Sequence, residues 1–188
     1  MKTEEIAILD AALEVFMRYG FRRSTMSDVA KAAGLSRQSL YARFANKDEV
    51  YAAGVILYGE RILEELKTAW AQATSMDQAM DNFANICIVP TFDLLRSSPD
   101  ASDLIEAANS PEGQEAMARL KILKCAALSE LFTPYAKALN TRGLTPEQLA
   151  DFVETNKHTI AKTSQDHGQL EAQIATLKAS VLSLTSQA

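Results

Sequence analysis

Between Thr25 and Lys47 the chain reads TMSDVAKAAGLSRQSLYARFANK, and few folds accept that order of residues. Thr25 can cap a helix, and Asp28, three residues on, closes a capping box ahead of Val29, Ala30 and Ala33. Gly34 supplies the stop, because a left-handed backbone costs glycine no Cβ clash. Leu35 can fold back onto the apolar side, and Ser36 can cap a second helix whose buried face is Leu40 and Phe44. Ala30 and Ala33 let the two helices approach where larger side chains would hold them apart. Two helices of about two turns each, joined this tightly, predict a helix-turn-helix.

Charge separates this hairpin from an ordinary one. The chain carries a formal net charge of -5, yet Arg18, Arg22, Arg23, Lys31, Arg37, Arg43 and Lys47 face only Asp28 over residues 18–47. A cationic surface on an acidic protein is what a phosphate-binding module needs, since the contact face must overcome the overall repulsion from a duplex.

The run is similar to the DNA-binding domain of the TetR family of bacterial transcriptional regulators. The likeness covers roughly residues 5–60 and is carried by Phe16, Gly20, Thr25, Val29, Ala30, Ala33, Gly34, Leu35, Ser36, Leu40, Tyr41, Phe44 and Lys47. In this motif the first turn of the second helix enters the major groove. Arg37, Gln38 and Ser39 occupy that turn: Arg37 can bind guanine O6 and N7, Gln38 can bind adenine N6 and N7, and either can hold a phosphate instead. The resemblance implies that Tyr41 and Lys47 hold backbone phosphates and that Ser27 adds a base-edge or phosphate contact. Thr25, Ser36 and Arg43 complete the candidate DNA-binding set.

Around this motif the pattern is helical throughout, so the expected fold is all-α. A first helix is predicted from about Thr3 to Tyr19, with Ile6, Leu9, Ala12, Leu13, Phe16 and Met17 as its stripe and Gly20 as its stop. Phe21 is expected in the core of the small domain. Asn46 and Glu49 open a fourth helix running to about Ala73, nearly 40 Å long. The expected division is a helix-turn-helix DNA-binding domain over 1–50 and a larger helical ligand-binding and dimerisation domain over 51–188. One helix should join them as a rod.

Beyond Met76 no motif with chemistry appears. A helix through Met80, Phe83, Cys87 and Ile88 should kink or end at Pro90. Ser97–Asp100 reads as a turn and Ser102–Ala108 as a short helix, while Ser110 and Pro111 open a long helix to Phe132 that Pro134 ends or bends. Gly143 and the Thr145, Pro146, Gln148 cap lead into a helix over about 146–164, with Leu149, Phe152, Val153, Asn156, Ile160 and Thr163 on one side. A last helix over about 169–185, following Gly168, repeats Leu170, Ile174, Leu177, Val181 and Leu184 and carries only Glu171 and Lys178 as charges. A terminal helix so weakly charged suits an intermolecular bundle shared with the helix before it, which is also the dimer the resemblance implies. Leu149, Phe152, Val153, Asn156, Ile160, Leu170, Ile174, Leu177, Val181 and Leu184 are therefore the expected dimer contacts.

The resemblance further implies a small-molecule pocket in the larger domain. Candidate lining residues are Tyr58, Ile62, Phe83, Cys87, Met117, Cys125, Leu128 and Phe132, and the lack of a charge cluster among them points to an apolar or neutral effector. Cys87 and Cys125 sit in apolar segments and read as reduced core thiols. His158 and His167 have no thiolate, serine elbow or paired carboxylates around them that would make a nucleophile or metal site. The sequence thus argues against catalysis, and no cofactor is expected. No apolar run approaches a membrane span, and the N-terminus lacks the hydrophobic core of a signal peptide, so a cytoplasmic location is expected. The function implied is a homodimeric repressor that binds a palindromic operator in double-stranded DNA and is released by a small effector. The alternative is a constitutive or architectural DNA binder without an inducer.

Overall fold

The computed structural model describes residues 3–97 and 107–186. Every element among these residues is helical. The helices are α1 Thr3–Tyr19, α2 Met26–Ala32, α3 Arg37–Tyr41, α4 Lys47–Gln72, α5 Met76–Phe83, α6 Val89–Ser97, α7 Pro111–Phe132, α8 Ala136–Asn140, α9 Pro146–Thr163 and α10 His167–Thr185. A π-helical turn, Ala84–Ile88, links α5 to α6, and a 3-10 turn, Thr133–Tyr135, links α7 to α8. The turn expected at Ser97–Asp100 and most of the short helix expected at Ser102–Ala108 lie outside the described residues.

The chain divides into two compact units, one formed by Met1–Glu60 with Arg96–Leu120 and the other by Arg61–Leu95 with Lys121–Ala188. Both α4 and α7 contribute residues to each. In the first unit, Ile8, Leu9, Ala12, Val15 and Phe16 of α1 pack with Val29, Ala30, Leu40, Phe44 and Val50. Phe16, Phe21 and Tyr51 close this core as an aromatic triad, with centroids 5.2 to 6.3 Å apart. Burial pushes the Tyr51 hydroxyl up to about 12, as expected of a core tyrosine.

The second unit is built on Leu66, Met80, Phe83, Cys87, Ile88, Phe92, Leu128, Phe132, Val153, Ile160, Leu177 and Val181. Trp70 Nε1 donates to the Ala79 carbonyl at 2.9 Å and Asn82 Nδ2 to that of Ala69 at 3.1 Å, tying the end of α4 to α5. Lys178 of α10 reaches Asp81 at 2.6 Å and Asp77 at 3.0 Å on α5. The expectation that Pro90 would interrupt its helix is corrected: the helix continues past it, and the turn before it widens so that the Val89 N–H reaches the Ala84 carbonyl. A π-turn re-registers the ladder at the point where proline has no donor to give. The last helix also starts ahead of Gly168, because Asp166 accepts the Gln169 N–H at 2.8 Å and caps it.

Candidate DNA-binding interface

The helix-turn-helix is assembled by its caps. The Thr25 hydroxyl accepts the Asp28 N–H at 3.2 Å, and Asp28 accepts the Thr25 N–H at 2.9 Å. The Thr25 hydroxyl also donates to that carboxylate at 2.6 Å, and this bond, followed by the one from the Thr25 N–H, holds the Asp28 carboxyl below its ordinary value. At the other end of α2 the Leu35 N–H reaches the Ala30 carbonyl at 2.8 Å and the Gly34 N–H that of Lys31 at 3.2 Å, with Gly34 at φ 66. This is a Schellman stop, and only glycine adopts its backbone without strain. Ser36 then accepts the Ser39 N–H at 3.0 Å to start α3. That helix is shorter than expected, five residues, and its last turn tightens as the Arg43 and Phe44 N–H groups share the Leu40 carbonyl.

Ser27, Arg37, Gln38, Ser39 and Tyr41 are all exposed. Leu40 is fully buried and fixes which way α3 faces. The Arg37 guanidinium lies 5.4 Å from the Tyr41 ring centroid and reaches its hydroxyl at 3.5 Å, so the two side chains are organised against each other before any DNA arrives. Thr25 and Ser36 have their hydroxyls engaged in caps, which makes them supports of the interface. Arg43 pairs with Glu4 at 2.6 Å. Lys47, the candidate phosphate ligand, also has a structural place. Its ammonium donates to the carbonyls of Phe21 at 2.6 Å, Ser24 at 2.9 Å and Arg22 at 3.5 Å, and lies 4.2 Å from the Phe21 ring centroid. Lys47 thereby pins the α1–α2 connection to the start of α4. At that start the Glu49 N–H reaches Asn46 Oδ1 at 2.7 Å, but the Glu49 carboxylate takes the Ala45 N–H, one residue ahead of the expected box partner.

The candidate effector residues are not all brought together. Phe83, Cys87, Leu128 and Phe132 are packed in the core of the second unit, with Ile62 against it. Cys125 is half-buried and both cysteines are free thiols. Tyr58 and Met117 belong to the first unit and are exposed. The candidates carry no charge themselves, but Glu154 and Lys157 of α9 are buried in the second unit, 1% and 2% exposed and paired at 2.5 Å.

The same pair explains the correction to the dimer contacts. Leu149, Val153, Ile160, Leu170, Leu177 and Val181 are buried within their own chain, and Asn156, Ile174 and Leu184 are half-buried. Only Phe152, 46% exposed, stands clear. The sequence pattern put Phe152, Asn156 and Thr163 on the same side of α9 as Leu149, Val153 and Ile160. The inward side is in fact Ala150, Val153, Glu154, Lys157 and Ala161. An oppositely charged pair at i and i+3 among Ala and Val is the signal that was available.

A capped pair of short helices with a stacked arginine and tyrosine on the exposed one defines a helix-turn-helix DNA-binding protein. Residues 8–53 match the family model described as bacterial regulatory proteins, tetR family. The matched segment spans most of α1, the helix-turn-helix and the start of α4. Among curated proteins the chain is similar to the HTH-type transcriptional repressor ComR of Escherichia coli (strain K12), 29% identical over 82 residues, or 43% of this chain and 39% of that protein. The match therefore spans about two fifths of that relative's length. Two solved structures share the fold over nearly their whole length. They are the fatty acid degradation regulator FadR from Bacillus halodurans (TM-score 0.67, 17% identity, covering 98% of this chain and 96% of that one), and the TetR family repressor AlkX from Dietzia sp. strain DQ12-45-1b, implicated in biodegradation of n-alkanes (TM-score 0.63, 20% identity, 96% and 94%). No helix among the described residues is long and apolar enough to cross a membrane. No group of three or more His, Cys, Asp or Glu among them is placed to hold a metal.

Proposed function

We propose that the protein is a homodimeric repressor that reads a palindromic operator through α3 and is released by a small molecule bound in the second unit. In this reading residues 1–50 are the DNA-binding domain and 51–188 the ligand-binding and dimerisation domain. The observation that carries it is the exposed first turn of α3, where Arg37, Gln38 and Ser39 stand on a helix fixed by the Ser36 cap and the buried Leu40. Arg37 and Gln38 specify bases, while Tyr41 and Ser27 position the domain on the backbone.

The dimer surface is the outer side of the last two helices. On α9, Phe152, Thr155, Thr159 and Thr163 are exposed at helical spacing; on α10, Ala172, Ala175, Thr176 and Ala179 are. Neither stripe carries a charge. The hydroxyls of Thr159, Thr163 and Thr176 donate to carbonyls one turn back at 3.4, 2.8 and 2.9 Å, so covering them leaves no donor unsatisfied. Two copies joined here present two recognition helices to the two half-sites of a palindrome.

Sedimentation of the full chain with and without Phe152→Asp, followed by transcription from a promoter carrying the recovered operator, tests the reading. The native chain sediments as a dimer and lowers transcription, and the variant sediments as a monomer with weakened operator binding. A native monomer, or a dimer untouched by Phe152→Asp, contradicts the proposed surface. Unchanged transcription contradicts repression and favours a constitutive or architectural role.

A further inference from the structure

The buried ion pair of the second unit is incomplete on both sides. Glu154 uses Oε1 on Lys157 at 2.5 Å, while its other oxygen, Oε2, is buried with no hydrogen-bond partner. A carboxylate oxygen shut away from water without a donor is costly, and native proteins seldom keep one without a use. Beside it stands Lys124 of α7, half-buried and outside every ion pair among the described residues. Glu154 carries one negative charge against the two ammoniums. The cluster therefore lacks one anionic partner for Lys124 and one hydrogen-bond donor for Glu154.

The surroundings agree with that deficit. Burial, and then repulsion from Lys157, lowers the Lys124 ammonium below its ordinary value. His158 Nε2 lies 3.8 Å from Glu154 Oε1, but its ring is exposed to water. Cys87 presents its buried thiol to the same group, raised chiefly by burial and opposed by Lys157 and Lys124. It sits in the π-helical turn on which α9 packs, a backbone irregularity that recurs at binding sites.

We infer that the second unit holds a site for a small organic acid bearing a hydroxyl group, Lys124 taking its carboxylate and Glu154 Oε2 accepting a hydrogen bond from its hydroxyl. A hydroxyl suits the site better than an ammonium, because two lysines already occupy it and a third cation has no counterion. This rests on the ligand-responsive reading above and narrows it from an unspecified small molecule to a hydroxy acid.

The test uses the full chain and a panel of three- to eight-carbon 2- and 3-hydroxy acids with their uncharged methyl esters, read by calorimetry and, separately, by release of operator DNA. At least one acid binds, its ester binds about tenfold or more weakly, and Lys124→Met or Lys124→Gln weakens acid binding by about the same factor, the loss expected for one charge-assisted contact. Two variants are used so that a folding defect in one does not decide the result. Acids that fail to bind, esters that bind as well as acids, or acid binding unaltered by both variants overturn the site. An acid that binds through Lys124 but leaves operator binding unchanged upholds the site and refutes the ligand-responsive reading. Release of operator by an uncharged compound, indifferent to Lys124, does the reverse.

Discussion

Lys47 in the first unit and Lys157 in the second both withdraw an ammonium from water, and the two units handle it in opposite ways. Around Lys47 three backbone carbonyls accept from the ammonium, at 2.6, 2.9 and 3.5 Å. Around Lys157 a single carboxylate does so, leaving one of its own oxygens unsatisfied and a second lysine alongside. A satisfied polar cluster fixes one arrangement of the chain, whereas an unsatisfied one is a place where a ligand can change the balance. The first suits a head that must hold its recognition helix still. The second suits a domain that must respond.

Glu154→Ala has the largest expected effect, because it strands Lys157 in the core: about 3–5 kcal/mol of stability lost in urea unfolding. Replacing both residues by apolar side chains of similar volume costs much less or stabilises. If the single and double replacements behave alike, the pair is not the isolated buried charge described here. Lys47→Met comes next. Three carbonyls lose a charged donor, so about 2–3 kcal/mol of stability is lost, and DNA binding weakens for all sequences because the head loosens. A lysine that only touched phosphate would instead leave stability unchanged and reduce the salt slope by about one.

Arg37→Ala removes about 1–3 kcal/mol of discrimination at one operator position, measured by competition among single-base variants, while thermal stability stays within about 0.5 kcal/mol. An equal loss on every sequence would make Arg37 a phosphate contact. Thr25→Ala is the smallest, about 1 kcal/mol from the cap. It also flattens an acid dependence. The Asp28 carboxyl is held below 3.8 by the Thr25 bonds, so its contribution is complete above that pH and fades as the pH falls through the lowered value. Acid titration of the native and Thr25→Ala chains should differ only in that range.

The contrast between the units also marks what could be read from the chain alone. Thr25, Asp28, Gly34, Ser36, Thr145 and Gln148 act on neighbours within a few residues, so the caps and stops of the helix-turn-helix and of α9 were legible from spacing. Lys47 was placed at the start of the right helix, but its carbonyl acceptors were not legible, since they lie 23 to 26 residues away. The face of α9 was misjudged for a different reason. Periodicity grouped Phe152 and Asn156 with Leu149 and Val153 and passed over Glu154 and Lys157, which are buried. A buried Glu and Lys can reverse that choice only when they satisfy each other, which depends on how the helices pack.

The central claim, sequence-specific reading by α3, is tested most directly by binding the purified protein to fragments of its own genome at a stated salt concentration, with random DNA as competitor and Arg37→Ala beside it. The account predicts recovery of a short palindrome by the native chain and its loss or degeneration with the variant. Weak, salt-sensitive binding that ignores sequence, equal for both proteins, would contradict it.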